Sequence, residues 1–448
     1  MSTAAFPGLR RVLSLRDLLF YGIIVIQPTA PLPSFGIVAT VAQGHVATTL
    51  LIAMLAMVLT AISYGRMSLV YPKAGSAYTY VGEELHPTLG FLTGWSITLD
   101  YLLAPTIGTI WCSKAAMNIL ALPFAVWVLF FAALFTWVNL RGIQTNARAN
   151  TVLTIGMVSV LITFFIVAIG YLVRQSGLAG LLSIQPFYDP ETFSWANIRT
   201  GTSIAVLTYM GFDCISTLSE DVENPKRNVP LATVLLCVIT GVLGCFEVYL
   251  GQLIWPDFRT FPDTDTAFVA AAGRAGGDWM FQAMNATLLV ATMGSSLGAQ
   301  MGAGRLLYAM GRDNTIPRAF FGYLDPRRNT PKYNLLLCGT VCAVGALLMS
   351  YQFGAELLNF GAFVAFMGVN LAALSRYYVR NPDRGFANVL RYAIPSLLGF
   401  IVCLGIWLSL RPAAKLAGAA WLIIGMIYFA VRSRYQPSPS MSIPESPG

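Results

Sequence analysis

Residues 21–36 read YGIIVIQPTAPLPSFG, and this stretch decides the fold. It opens as an apolar helix and then meets Pro28, Pro31 and Pro33. Each proline removes a backbone N–H and clashes with the preceding turn, so no continuous helix passes through. If the segment lies in a membrane, the opened backbone is tolerated only where protein or a water-filled cavity covers it. The break is therefore a candidate binding site.

The composition of the chain says that the segment does lie in a membrane. Of 448 residues, 56% are hydrophobic and 11% charged, with a mean hydropathy of +0.65, against about a quarter charged in soluble domains. About a dozen apolar stretches are each long enough for the roughly 20 residues that a spanning helix needs. We place them at 17–42, 47–70, 89–118, 123–140, 150–173, 196–218, 231–254, 279–311, 334–351, 355–378, 393–410 and 413–432. They use up nearly the whole chain and leave no room for a soluble domain. The fold class expected is an all-α polytopic membrane protein with an N-terminal tail over 1–16, a permeation domain over 17–432 and a Pro/Ser-rich disordered tail over 433–448.

Twelve spans put both termini on one side. With an inward start, 21 of the 28 basic residues fall on inner loops and tails, which supports cytoplasmic termini. The remainder are Lys114, Arg174, Arg199, Arg259, Arg274, Arg411 and Lys415. The start of the chain is basic and lacks a small-residue cleavage site after a short apolar run, so it reads as a retained tail. The net charge of +8 follows from basic cytoplasmic loops, and no nucleic-acid partner is expected. Asp257, Asp263, Asp265 and Asp278 gather in the outer loop between spans seven and eight. They read either as solvated loop charges or as a cluster concentrating cations at an entrance.

Enzymatic chemistry finds little support. The seven cysteines lie almost entirely within apolar runs, with neither disulfide nor zinc spacing. His45 and His86 are the only histidines. No metal, cofactor, clustered nucleophile or phosphate loop is expected.

A second interruption lies five spans after the first, in TYMGFDCIST, where Gly211 breaks an apolar run beside Asp213. Interrupted helices at corresponding places in two halves are the pattern of inverted-repeat transporters with a midplane site. The repeats would be about 17–173 and 196–378, with spans eleven and twelve, 393–432, peripheral or at a dimer contact.

Several stretches together resemble the amino acid, polyamine and organocation (APC) permease superfamily: YPKAGSAYTYVGEELHPTLGFLTGW, GFDCISTLSEDVENPKRNVPLA, GRLLYAMGRDNTIPRAFFGYLDPRRNTP and LLNFGAFVAFMGVNLAAL. The run AGSAYTY and the triplets LDY and GFD resemble its putrescine-importer branch in particular. The resemblance implies a five-plus-five inverted-repeat (LeuT-like) fold with broken helices 1 and 6, alternating access, and secondary transport of a small amine-bearing solute such as putrescine or a cationic amino acid. A neutral amino acid permease or exchanger is the near alternative; a non-transporting receptor is more remote.

The expected substrate site comprises Gln27, Pro28, Thr29, Ala30 and Pro31 from the first break, Asp100 and Tyr101 from span three, Tyr209, Met210 and Gly211 from the second break, and Ser295, Ser296 and Ala299 from span eight. Amino acid carriers of the superfamily present backbone N–H groups from a glycine-rich first break to a carboxylate. Here three prolines supply none, which leaves Thr29, Ala30, Leu32 and Ser34 as donors while every residue still offers a carbonyl. The balance moves towards a cation, or else the prolines only set the angle of the break. Asp100 is an intramembrane carboxylate and the leading acceptor for a substrate ammonium; its other reading is a structural hydrogen bond. Leu207 and Tyr209 are candidate gates or plain packing. The lysine some proton-coupled members carry in span five is replaced by Met157, which leaves Asp213, Asp100 and Glu247 as candidate proton carriers, or else exchange without any coupled ion. Glu247 and Lys114 could belong to an outer vestibule. Asn359 and Phe360 are weaker candidates, and small residues of span eight could equally serve close packing.

Overall fold

A computed structural model describes residues 13–71, 76–142, 147–217, 222–312, 314, 316–328, 330–383 and 385–435. Most of the expected N-terminal tail, nearly all of the C-terminal tail and the start of the AGSAYTY run lie outside these residues. Helices form at all twelve expected stretches. The first stretch is divided into α1 (Leu15–Ile26) and α2 (Phe35–Val41), followed by α3 (Val46–Val70), α4 (Ser76–Glu84), α5 (Pro87–Met117), α6 (Phe124–Leu140) and α7 (Ala147–Ser176). The sixth is divided into α8 (Trp195–Ala205) and the single turn α9 (Cys214–Thr217). There follow α10 (Pro225–Ile254), α11 (Ala267–Gly276), α12 (Asp278–Arg312), α13 (Arg318–Phe321), α14 (Lys332–Leu348), α15 (Tyr351–Leu374), α16 (Phe386–Asn388), α17 (Ile394–Leu408) and α18 (Pro412–Tyr435). Among the described residues there is no β-strand, only an isolated parallel bridge between Leu13 and Val222.

Among the described residues six helical stretches are long and apolar enough to cross a membrane: Val46–Val70, Val152–Ser176, Pro225–Ile254, Tyr351–Val379, Phe386–Leu408 and Pro412–Arg432. The two longest helices, α5 with 31 residues and α12 with 35, are more polar because they run through the middle of the bundle. The pairing of helices follows a pattern: α3 packs along α10, α5 lies between α12 and α15, and α6 packs against α14.

Four helices lie outside the expected stretches: α4 in the link from the second stretch to the third, α11 in the acidic link from the seventh to the eighth, and the short α13 and α16. The first is fastened by charge. Glu84 is fully buried at the end of α4, where it accepts a hydrogen bond from the Tyr71 hydroxyl at 2.8 Å and pairs with Arg380 Nη1 at 3.0 Å. Arg376 Nε lies 3.6 Å from the same carboxylate. Both arginines lie at the end of the tenth stretch, where α15 loosens into a wider helical turn over Ser375–Val379.

The last two helices lie at the edge of the bundle. α18 is held to α5 by a reciprocal pair in which the Trp95 indole N–H donates to the Trp421 carbonyl and the Trp421 N–H donates to that of Trp95, with the rings stacked at 4.8 Å.

Candidate functional site

The first break is built as proline dictates. α1 ends at Ile26, residues 28–31 turn, and Leu32–Ser34 make one 3-10 turn before α2 begins. Gln27 takes φ 71° and ψ 138°, a conformation that costs a residue with a Cβ of order 1–3 kcal/mol unless its surroundings enforce it. They do so twice: its N–H donates to the Ile23 carbonyl at 2.9 Å, and its side-chain amide donates to the Ala291 carbonyl of α12 at 2.8 Å.

The hydrogen bonds of the break differ from the expectation. The N–H groups of Ala30 and Leu32, expected as donors to a ligand, are spent on the Gln27 and Thr29 carbonyls at 3.2 and 3.1 Å. Nor is every carbonyl available, since that of Pro31 accepts from the Ser34 hydroxyl and that of Leu32 from the Phe35 N–H. Among the described residues, the carbonyls of Ile24, Val25, Ile26 and Pro28 receive no backbone N–H. The first three are the negative end of the α1 dipole, which favours a cation. The shift towards carbonyl chemistry is thus stronger than the count of prolines indicates, and it is concentrated at the end of α1.

The second break meets the first. After α8 the chain makes a 3-10 turn over Val206–Tyr209 and then turns at Gly211, where φ is 105°. A side chain at Gly211 would meet Val25 at 3.0 Å and Ile26 at 3.6 Å, so the two interruptions are packed face to face. Pro28, Thr29 and Pro31 are buried in this junction, whereas Gln27, Ala30, Met210 and Gly211 are partly accessible.

On the other side of the junction lies an acidic and aromatic cluster. Asp100 and Tyr101 are partly accessible on α5, and Pro105, one turn on, withholds the helical N–H that would have reached the Tyr101 carbonyl. Among the described residues Asp100 has no hydrogen-bond or ion-pair partner, and Asp213 is the charged group that bears on it. Tyr64 of α3 lies in the field of both carboxylates and of Tyr80 and Tyr101. Its ring packs edge-on against Phe212 at 5.4 Å and Phe366 at 6.1 Å. Asp213 also holds the start of α9, its carbonyl accepting from the N–H and hydroxyl of Ser216.

The third wall comes from α12, and here the structure divides the expected residues. Ser295 is exposed and Ala299 partly so, but Ser296 is buried against Gly108 of α5, with its hydroxyl donating to the Thr292 carbonyl. Ser296 therefore serves helix packing. The open face is a glycine row that was missed: Gly294 lies 3.8 Å from the Gln27 amide, Gly298 faces open space, and Gly302 lies under the Tyr101 ring at 3.0 Å, each as a Cβ there would see it. The signal was present as glycine at every fourth position of GSSLGAQMG, one helix face. Among the gate candidates, Leu207 is partly accessible. Tyr209 is fully buried, its hydroxyl donating to the Leu50 carbonyl at 2.9 Å. Asn359 is also buried, donating to the Ser203 carbonyl, and Phe360 packs against Trp407 at 5.0 Å.

The end of the bundle beside the 257–266 loop is closed. Gly36 of α2 approaches so near the 257–266 loop that an added Cβ would lie 2.5 Å from the Ala267 Cβ and within the Thr264 carbonyl. Phe35 packs against Phe261 and Phe268 at 5.8 and 5.4 Å. The Trp111 indole donates to the Asp265 carbonyl at 2.8 Å. Lys114 Nζ pairs with Asp263 at 3.1 Å and Asp265 at 3.5 Å. Two of the four loop acids thereby share one lysine and fasten the loop to α5. Burial and the neighbouring Asp263 hold the Asp265 carboxyl above its ordinary range, with Lys114 opposing. Lys114 and Glu247 share no vestibule, since Glu247 is fully buried in α10.

Among the described residues no cluster of histidine, cysteine and acidic side chains could hold a metal. The family model for amino acid permeases matches residues 34–429. A low-affinity putrescine importer of Escherichia coli is 34% identical over 432 residues, covering 94% of this chain and 93% of its own. A branched-chain amino acid permease of Lactococcus lactis is 27% identical, covering 95% of each chain, and a methylthioribose transporter of Bacillus subtilis is 25% identical, covering 95% of this chain and 94% of its own. These likenesses run the length of the membrane domain and indicate an integral membrane transporter rather than an enzyme. The chain belongs to the amino acid permease family of the APC superfamily, near the putrescine importers.

Proposed function

We propose that the protein is a secondary transporter that moves a small amine-bearing solute, a diamine such as putrescine or a cationic amino acid, across the plasma membrane by alternating access, with both termini cytoplasmic. The observation that carries the reading is Asp100: a carboxylate on the accessible face of α5 that, among the described residues, has no partner and no lysine or arginine bearing on it, and is reinforced by Asp213. A charge in a low-dielectric site is expensive unless paired, and an ammonium is the partner this site lacks. The carbonyl end of α1 acts in the same sense, and the rings around Tyr64 suit a cation. The name of the 34%-identical relative, a putrescine importer, agrees with this chemistry.

The helix pairings support twelve spans and an inverted repeat. Span two packs on span seven, three on eight and four on nine, and the breaks of one and six meet, so four of the five helices of the first half touch their counterparts five places later. With the 257–266 loop fastened, the arrangement reads as the outward-closed member of an alternating-access cycle.

Asp100→Asn tests the proposal. It removes a charge-assisted contact of about 1.5–3 kcal/mol, so the KM for putrescine in proteoliposomes should rise about 10- to 150-fold with the variant still folded. Unchanged uptake would remove Asp100 from the site. The second reading, a neutral amino acid substrate, draws on the branched-chain permease relative. Thermal stabilisation of purified protein by leucine in preference to every diamine and cationic amino acid would establish it instead, because a bound ligand raises stability by mass action.

A further inference from the structure

Glu247 lies within α10, fully buried, and neither of its carboxyl oxygens has a hydrogen-bond partner among the described residues. Its surroundings are fixed by the glycines one turn to either side, which share its helix face. A Cβ at Gly244 would lie 3.1 Å from Pro31, 3.4 Å from Leu50 and 3.6 Å from Thr208; one at Gly251 would lie 2.9 Å from Phe268 and 3.3 Å from Phe35. The stripe that carries Glu247 therefore faces the two broken segments, Pro31–Phe35 of the first span and the 3-10 turn of the sixth. Thr208 in that turn is likewise sealed, and its hydroxyl is also without a partner. Two orphaned polar groups thus lie where α10 meets the parts of the molecule that open.

We propose that Glu247 carries a proton that crosses the membrane together with the substrate, a reading that rests on the transport function above. A sealed carboxylate with no donor is tolerated as the neutral acid and is very costly as the anion. In the closed arrangement the carboxyl holds its O–H. When the broken segments move away from α10, water reaches it; the O–H bond breaks, the proton passes to water, and the acid is reprotonated from the opposite side in the next cycle. One proton is taken up and one released per turn, with no redox change.

Among the described residues no charged group bears on Glu247, so its state responds to water access and not to a neighbour. The elements that pack on its helix face at Gly244 and Gly251 present Pro31 and Phe35 from the first span, Leu50 from α3, Phe268 from α11 and Thr208 from the sixth-span turn. The titratable groups nearby are committed elsewhere. The Tyr209 hydroxyl donates to the Leu50 carbonyl, Cys245 lies against the Ala47 carbonyl, and Cys237 is buried on the same helix. At the outer end, His45 bonds the Ala42 carbonyl through Nδ1 and accepts the Asp189 N–H at Nε2.

The test uses proteoliposomes holding the full chain, with radiolabelled putrescine, or leucine if the wild type exchanges leucine instead. With the membrane potential clamped at zero, a one-unit pH gradient should drive about tenfold accumulation by the wild type at one proton per substrate, with acidification of the lumen. Glu247→Gln, which imitates the protonated acid, should retain counterflow but lose both accumulation and acidification. Glu247→Asp, which can still titrate, should keep proton-driven accumulation. The proposal is overturned if Glu247→Gln accumulates substrate like the wild type, if it loses counterflow as well, if Glu247→Asp fails to accumulate, or if the wild type exchanges substrate without moving protons. Absence of counterflow in the wild type would instead sink the transport reading itself.

Discussion

Gly36→Ala is a small change whose consequence can be worked out from the contact it disturbs. The added carbon would lie 2.5 Å from the Ala267 Cβ and inside the Thr264 carbonyl. Carbon atoms rest at about 3.5–4.0 Å, so α2 and the 257–266 loop must separate by roughly 1 Å. Neither partner is the flexible end of a long side chain, and both sides are tied down, one by Phe35 against Phe261 and Phe268, the other by Trp111 and Lys114. Overpacking of this kind costs about 1–3 kcal/mol, charged here against the outward-closed arrangement, where the contact exists. A shift of that size alters the balance between closed and open forms by about 5- to 150-fold. Backbone amide hydrogen exchange in residues 257–266 should accelerate, and the outer-facing affinity for substrate should rise, because binding no longer has to draw on a rare open form. Gly170→Ala, at a position with nothing within 4 Å, is the control and should change neither. If Gly36→Ala leaves exchange in the loop at the wild-type rate, α2 is not held by this approach and the account of outer closure fails.

The fastenings made by Glu84 and by Lys114 each give a further prediction. Glu84→Gln leaves Arg376 and Arg380 facing a neutral amide; since both arginines are about half exposed, the loss should be about 1–3 kcal/mol, read as a lower thermal midpoint in detergent that Arg380→Ala does not lower much further in the double variant. Lys114→Met leaves Asp263 and Asp265 without their cation. The carboxyl of Asp265 is already held high by burial and by Asp263, so the loop should loosen most at neutral pH, where both acids are ionised and repel, and should tighten again as the pH falls and Asp265 takes up a proton. Loosening that grows on acidification would contradict this.

What could be read from the residues was the covalent part of the problem. Proline cannot continue a helix, so the end of α1 near Gln27 was visible, and Gly211 beside Asp213 marked the second break. Charge in an apolar run singled out Asp100, which has no ion-pair partner among the described residues. What escaped was pairing over long separations. Nothing local to Glu84 says that arginines nearly 300 residues later will cover it, and nothing in the acidic loop says that Lys114 will take two of its charges. The donors of the break were misjudged for a related reason: counting N–H groups left by proline ignores that a tight turn consumes its own, as those of Ala30 and Leu32 show. Ser296 and Gly298 illustrate the same limit on α12, where identical smallness serves packing at one position and an open face at the other.

The broken first span also has a history within each synthesis of the chain. Its bare carbonyls and its enforced Gln27 are covered by residues that come much later, namely Gly211, Gly244, Thr264 and Ala291. At translation rates of about 5–20 residues per second, Ala291 follows the break by on the order of ten to fifty seconds. During that interval the segment meets lipid, or whatever holds nascent membrane segments, with backbone groups that hydrocarbon does not satisfy. The feature proposed to receive the substrate in the finished molecule is thus a burden during biogenesis, and the first span should settle in its final position only after α12 has entered the membrane.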